Sequence, residues 1–455
     1  MKNIKVLKVL PNHLVTRRVS TRNLPYPQKA NSYLKSSATN SKMSHVLQVL
    51  ESPVFDTSIT GEEVHTVNPV NPQALGNNDV IHFSMQQADT LTLLSKSFFL
   101  ISGELDKATT SEAGVVTHGA PTRVSLTKAG VLHLFNRIEL RINNERVEQI
   151  NEPGLTCIPK ILSTMTSDEV RQLGIMGWPD ATALTTADGE FNIQIPFSVL
   201  FGLGSDFEKV LVNAKIEILF TRSRSNDDAL LWTQAEAGVT LKLTKMVYKL
   251  PFISVDDQNR LSFLKIIEED KGLNLIYRSW ELYQYPELPR ATKHSWTVKS
   301  TTQRERPRYI IFFFQTARAG ASLKSSSQFD HCTLRNIKLL LNNEPYPYED
   351  LDQDFSKKNY TMFYDMYCKF MKAYHSASNV APILSYAEYI TEAPLFIIDC
   401  SRQKESLTSG AVDIRLDFET KDIIPNGTSG NCIIIRDNVY EYHPLTNTIR
   451  KNNEN

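Results

Sequence analysis

The 455-residue chain is expected to be all-β, folded as two tandem β-sandwiches with short helical insertions. Three features lead there. Apolar and polar residues alternate in short runs, which is the two-residue period of half-buried strands. Two of these runs recur later at an offset near 200 residues. No strand–helix–strand alternation appears, so a parallel α/β sheet is not expected.

Composition bounds the problem. Hydrophobic residues make up 41% and charged residues 22%, and 50 Lys+Arg balance 50 Asp+Glu. These are ordinary globular values, and the 18 Gly and 21 Pro are too few for a collagen or a low-complexity scaffold. At roughly 100–200 residues per domain the chain holds two or three. The apolar run Ile310–Phe314 is far too short for a bilayer-spanning helix, so no membrane span is expected.

The first 42 residues stand apart. They carry nine basic residues, from Lys2 to Lys42, and no Asp or Glu, leaving 41 basic against 50 acidic side chains in the rest. Such an arm could neutralise packaged DNA, since Lys and Arg displace counterions from phosphates. It could also be an organelle transit peptide. The favoured reading is a disordered extension of the reading frame ahead of Met43, because nothing before Met43 has strand or helix periodicity.

From residue 43 the elements follow in order. Thr90–Gly103 reads as an interior strand, and a polar loop follows over Asp106–Arg123. In Asn136–Glu145, Ile138, Leu140 and Ile142 alternate with Glu139 and Arg141, and Asn143-Asn144 supplies a turn that tolerates positive φ. A helix is expected around Pro159–Leu173, then strands at Phe191–Ile195 and Lys215–Phe220, a loop at Arg222–Gly238 and a strand-rich close over Val239–Phe252.

The second half repeats this order. Arg308–Gln315 is a continuous apolar run suited to a strand buried on both faces. Arg335–Glu344 matches Asn136–Glu145 at an offset of 199, with Ile337, Leu339 and Leu341 in the apolar places and the same Asn-Asn-Glu ending. Met362, Phe363, Met366, Tyr367, Phe370, Met371 and Tyr374 make one stripe at helical spacing, more typical of core packing than of a binding face. Pro394–Ile398 adds a strand. Asp413–Phe418 matches Lys215–Phe220 at an offset of 198, and Asn431–Tyr442 closes the copy. Long excursions between short strands suit Greek-key crossovers better than hairpin meanders. The expected boundaries are a first sandwich over 43–255, a second over 256–445, and a disordered tail over 446–455.

Catalytic chemistry is not visible. The sequence has no phosphate-binding G-x-x-x-x-G-K-[ST] loop, no H-E-x-x-H and no G-x-S-x-G. Gly202–Phe207 opens like a dinucleotide loop but lacks its third glycine and its βαβ setting. The five cysteines, Cys157, Cys332, Cys368, Cys400 and Cys432, are widely spaced and read as reduced thiols rather than a disulfide framework. His331-Cys332 would place thiol and base on opposite faces of a strand. The acidic run Glu349–Asp354 lacks the Gly and terminal Glu of an EF-hand loop and reads as a solvated helix start. The expectation is no enzyme, with no catalytic, cofactor-binding or metal residues.

The duplicated halves, the Asn-Asn-Glu turns, the opening Leu50–Ile59, the block Asn77–Ile81 and the run Phe396–Leu407 together resemble a known family. It is that of double jelly-roll-like proteins, similar to the major capsid proteins of Polinton/Maverick and adintovirus-like elements found in arthropod genomes. The resemblance runs from about Met43 to about Tyr442. It implies two eight-stranded jelly rolls and a homotrimer of pseudo-hexameric outline that would build a shell through capsomer–capsomer contacts. It also implies penton or minor capsid proteins as further partners. The gene would be viral or an endogenised element, and the product a virion capsid component or otherwise intracellular. The alternative is a carbohydrate- or protein-binding double β-sandwich without capsid assembly, in which Tyr- and Trp-containing loops such as Trp280–Tyr285 stack on sugars.

Overall fold

The computed structural model describes residues 58–86, 91–110, 116–234, 238–300, 306–318, 320, 323–377, 379–403 and 412–452. The basic segment 1–42, the stretch 43–57 and residues 404–407 of the family-bearing run lie outside these.

Eight strands build the first roll: β1 Ile59–Val67, β2 Val80–Met85, β3 Phe98–Thr110, β4 Phe135–Ile142, β5 Glu145–Asn151, β6 Glu190–Pro196, β7 Ile216–Arg222 and β8 Val239–Val255. They pair antiparallel into two sheets, β1-β8-β3-β6 and β2-β7-β4-β5. The second roll uses β9 Leu273–Tyr285, β10 Lys293–Ser300, β11 Tyr309–Thr316, β12 Leu334–Leu341, β13 Glu344–Tyr346, β14 Phe396–Asp399, β15 Asp413–Thr420 and β16 Thr428–His443. Its sheets run β9-β16-β11-β14 and β10-β15-β12-β13. Adding eight to each strand number of the first roll gives the second. Both are jelly rolls, and the strand order is the same.

The two matched sequence segments occupy the same places. Each Asn-Asn turn joins the fourth strand of its roll to the fifth with both residues at positive φ, 49° and 68° at Asn143-Asn144, 47° and 73° at Asn342-Asn343. That is the primed turn that suits the twist of a two-residue hairpin. The first Asn also holds the neighbouring seventh strand. Asn143 Oδ1 accepts from the Lys215 amide (2.8 Å), and Asn342 Oδ1 accepts from the Asp413 amide (2.8 Å). The repeated Asn is therefore a sheet fastener as well as a turn residue.

Cores form where the inward faces meet. In the first roll Phe99 of one sheet packs against Phe220 of the other at 4.7 Å and stacks on Tyr248 at 4.6 Å. In the second, Phe312 and Phe314 meet Phe418 at 5.0 and 5.6 Å. Strand β11 is buried on both faces, as its apolar run implies. Its outer face is covered by Phe329, which meets Phe313 at 4.4 Å, and by Phe370, which meets Tyr309.

Several local expectations are corrected. Thr90–Gly103 is not one strand: Leu91–Thr92 is a short strand, a 3-10 turn covers Leu94–Lys96, and β3 begins at Phe98. In β3 buried and half-buried residues alternate from Phe98 to Leu105, so only one of its faces is fully buried. The loop expected at Asp106–Arg123 contains the end of β3 and a strand, Val116–Gly119, that pairs back onto it. The loop at Arg222–Gly238 contains Leu230–Trp232, paired with Val124–Leu126. The first-roll helix starts earlier than expected, as α1 Pro153–Thr164, followed by a turn of helix at Ser167–Gln172. Pro153 opens it, a favourable place for a residue with no amide to donate. Within the expected tail, β17 Thr448–Lys451 pairs with β16 and buries Ile449.

Candidate functional site at the joint between the rolls

The two rolls share one apolar cluster, so the joint between them is a packed interior. Four further helices are needed to describe the chain around it: α2 Gly202–Asp206, α3 Asp257–Glu268, α4 Thr361–His375 and α5 Tyr386–Thr391. The aromatic stripe of α4 faces inward, with Phe363, Tyr367, Phe370 and Met371 buried. The Tyr367 hydroxyl crosses the joint to donate to the Leu162 carbonyl on α1 (2.7 Å). The helices that follow the fifth strand of each roll thus pack on each other. That placement explains a stripe too apolar for a solvent-facing insertion.

Tyrosine hydroxyls repeat this device. Tyr277 on β9 and Tyr440 on β16 both donate to the Val147 carbonyl on β5, at 2.6 and 3.3 Å. Tyr442 reaches the carbonyls of Val212 and Asn213. A buried phenol that finds a carbonyl keeps its apolar burial without orphaning its hydroxyl.

The charged part of the joint centres on α2. Its first residue, Gly202, lies against the Arg278 carbonyl of β9, where any side chain would collide with that backbone. Its last residue, Asp206, receives the Arg278 amide (2.8 Å), Nε (3.0 Å) and Nη2. The Arg278 guanidinium also stacks on Tyr374 at 3.5 Å and donates to the Tyr374 carbonyl (3.1 Å). Between these ends, Glu148 of β5 accepts the amides of Gly202 (2.8 Å) and Leu203 (3.1 Å). Burial pushes the Glu148 carboxyl up to about 7, against the opposing pull of Lys160 and the two amides. Burial likewise lowers Lys160, whose Nζ donates to the Ser198 carbonyl (2.8 Å).

A second seam is polar. Ser325 and Ser327 of the second roll reach Thr127 and His133 of the first, and Lys128 pairs with Glu392 at 3.1 Å. Ser327 Oγ donates to the Lys128 carbonyl, so His133 Nε2 is left to donate to Ser327. Burial pushes His133 down to about 4, consistent with that neutral role.

The residues singled out in the sequence fall elsewhere. Trp280–Tyr285 is no loop: it lies within β9, Trp280 is buried, and Tyr285 packs edge-on to Trp296. His331-Cys332 occupies a turn rather than a strand; His331 Nδ1 accepts the Thr333 amide and its ring stacks on Phe355. Glu349–Asp354 does not open α4, which begins at Thr361, but its last residue, Asp354, caps a 3-10 turn over Phe355–Lys357 by accepting the Ser356 amide (3.0 Å). Its Asp350, Asp352 and Asp354 pair with Lys338, Arg335 and Lys421. Gly202–Phe207 gives its first two amides, those of Gly202 and Leu203, to Glu148. Among the described residues no group of three His, Cys, Asp or Glu could hold a metal, and no disulfide forms. No helix among them is long and apolar enough to cross a membrane.

The joint charges Glu148, Lys160, Asp206 and Arg278 were missed by sequence reasoning. One signal was present: Lys160 sits inside the apolar stretch Cys157–Leu162, where a solvated lysine is not expected.

Comparisons with known proteins place this architecture. The chain superposes on a Sputnik virophage structure solved by cryo-EM with a TM-score of 0.57 and 10% identity, over 92% of this chain and 94% of that one. The mavirus major capsid protein gives 0.54 and 10%, over 92% and 96%. PBCV-1 VP54, fitted into a Sputnik reconstruction, gives 0.56 and 11%, over 88% and 98%. At such identities the shared property is the fold. None of the curated proteins matches the chain. The profile of the double jelly roll-like domain matches residues 124–440, from β4 of the first roll through most of the second and well over half of the chain, and the chain therefore belongs to the double jelly roll-like domain family.

Proposed function

We propose that this chain is a structural, self-assembling capsid-type subunit, three copies of which form a capsomer of pseudo-hexameric outline. The observation that carries the reading is the repeat: one polypeptide presents the same strand order twice, across a joint packed like a protein interior. Three such chains offer six similar rolls, so a closed assembly can tile with nearly repeated contacts. The structures it resembles include one named as a major capsid protein. Fold alone does not set function, so assembly itself is the test.

In this reading the first roll takes residues 43–255 and the second begins at 256. The basic arm 1–42 contacts packaged DNA if it belongs to the natural protein. Penton or minor capsid proteins are further partners, and the virion is the location. Apolar side chains left in the open by a single chain, such as Leu261 and Leu264 on α3 and Ile59 and Val64 on β1, suit contacts between copies. Light scattering should give a trimer of about 155 kDa from a 51.6 kDa chain, and negative-stain images should show hexagonal outlines. A protein that stays at 51.6 kDa at every concentration and forms no such particles sinks the proposal.

A further inference from the structure

We infer that copies of this chain join head to tail, the β1 side of one first roll seated on the β13 side of the next copy's second roll. The inference rests on the capsomer reading and deepens it by naming the surfaces that meet. It starts from the joint inside one chain, which is a contact between unlike sides. The second roll brings its first strand, β9, and the first roll brings its fifth, β5, where the Val147 carbonyl receives the Tyr277 hydroxyl. A contact of unlike sides leaves one side of each kind unused, and the same step can repeat until a ring closes. In this chain the unused pair is β1 of the first roll and β13 of the second.

The exposure of these strands fits that role. β1 and β9 hold the same place, each an edge strand hydrogen-bonded to the eighth strand of its roll. In β9, which lies against the first roll, Leu275, Tyr277 and Trp280 are buried. In β1 no residue is buried, and Ile59 and Val64 stand 55% and 52% exposed. An edge of nine residues with apolar side chains in the open is a template for pairing unless something covers it.

β5 and β13 correspond in the same way. Leu140 pairs with Glu148 in the first roll as Leu339 pairs with Tyr346 in the second. Glu148 is buried in the joint, whereas Tyr346 is half-buried and Tyr348, two residues on, is 83% exposed. A tyrosine there offers apolar area and a hydroxyl, the combination that Tyr277 and Tyr440 already use across the joint. A second copy is the occupant that carries both halves of this match. A ring of three chains uses every first-strand side and every fifth-strand side, so no roll keeps an open one.

The experiment uses the full chain and reads mass by sedimentation. V64D and Y348D each put a charge into the contact and should each weaken association on the order of 100-fold, giving single chains where the wild type is a trimer. Both positions are exposed, and circular dichroism checks that each variant stays folded. Should Y348D fail that check, Y348S removes the ring without adding charge. The two variants damage opposite sides, so a mixture retains one sound contact, the β1 side of Y348D on the β13 side of V64D. Mixed at high concentration they should form a two-chain species of about 103 kDa that neither forms alone. Trimers that survive either substitution overturn the inference, and so does a mixture that stays at 51.6 kDa. Dimers abolished by V64D but not by Y348D mean that β1 meets β1, which overturns it as well. A monomeric wild type removes the capsomer reading and this inference together, whereas a wild-type trimer indifferent to both substitutions removes only this one.

Discussion

Replacing Arg278 with Met tests whether the joint is held by specific charge pairing or only by apolar area. Methionine keeps much of the apolar stem and removes the guanidinium. Asp206, whose side chain is only 13% exposed, then loses the partner that meets both its oxygens, and the Tyr374 carbonyl loses a donor. Removing one member of a buried pair costs ~3–5 kcal/mol. The Arg278 side chain is 22% exposed, which argues for the lower end, about 3 kcal/mol. Lost stacking on Tyr374 adds roughly 1 kcal/mol. The expected destabilisation is therefore about 3–4 kcal/mol, or a Tm lower by roughly 6–10 °C if each roll of this size unfolds cooperatively. Urea unfolding and differential scanning fluorimetry would read it. The R278M/D206N pair should recover part of the loss, because the stranded carboxylate is gone, with a coupling of roughly 1–3 kcal/mol. An R278M variant within about 1 kcal/mol of wild type, or strict additivity in the double variant, would refute this account of the joint.

Other outcomes follow from the same geometry. N143A and N342A should each cost about 1–2 kcal/mol by urea unfolding, since each removes a side-chain acceptor from the seventh strand and puts Ala at positive φ; a large difference between them would contradict the equivalence of the turns. Y367F should cost about 1–2 kcal/mol by leaving the Leu162 carbonyl unpaired in the joint, and a neutral result would mean water replaces the hydroxyl. Thiol titration at pH 8 should find no more than two reactive cysteines in the native protein and five in denaturant. Cys157, Cys400 and Cys432 are buried, and burial pushes Cys157 up to about 12; Cys332 and Cys368 are half-buried.

Much of the fold was legible before any coordinates, because strand alternation is a local signal. Ile138, Leu140 and Ile142, and their counterparts Ile337, Leu339 and Leu341, alternate strictly because one face meets a core, while the other carries polar residues such as Glu139, held between Arg137 and Arg141. The Asn-Asn turns were readable for a similar reason, since few residues tolerate two successive positive φ angles. Elements without such a signature were lost. β1 is exposed along nearly its whole length, so nothing forces alternation on Ile59–Val67, and β13 is only three residues long. The Val116–Gly119 hairpin arm is wholly exposed and reads as loop for the same reason.

The joint was legible only in part. The apolar stripe of α4 announced burial but not its partner, and the lysine inside α1 announced an anomaly but not its cause. Sequence by itself determined the strand faces, the turns and the duplication, because each depends on residues close together in the chain. Tertiary structure alone decided that Arg278 would meet Asp206, 72 residues away, and that Glu148 would find the amides of Gly202 and Leu203. Single charged residues carry no period, and what they meet depends on how two finished rolls close against each other.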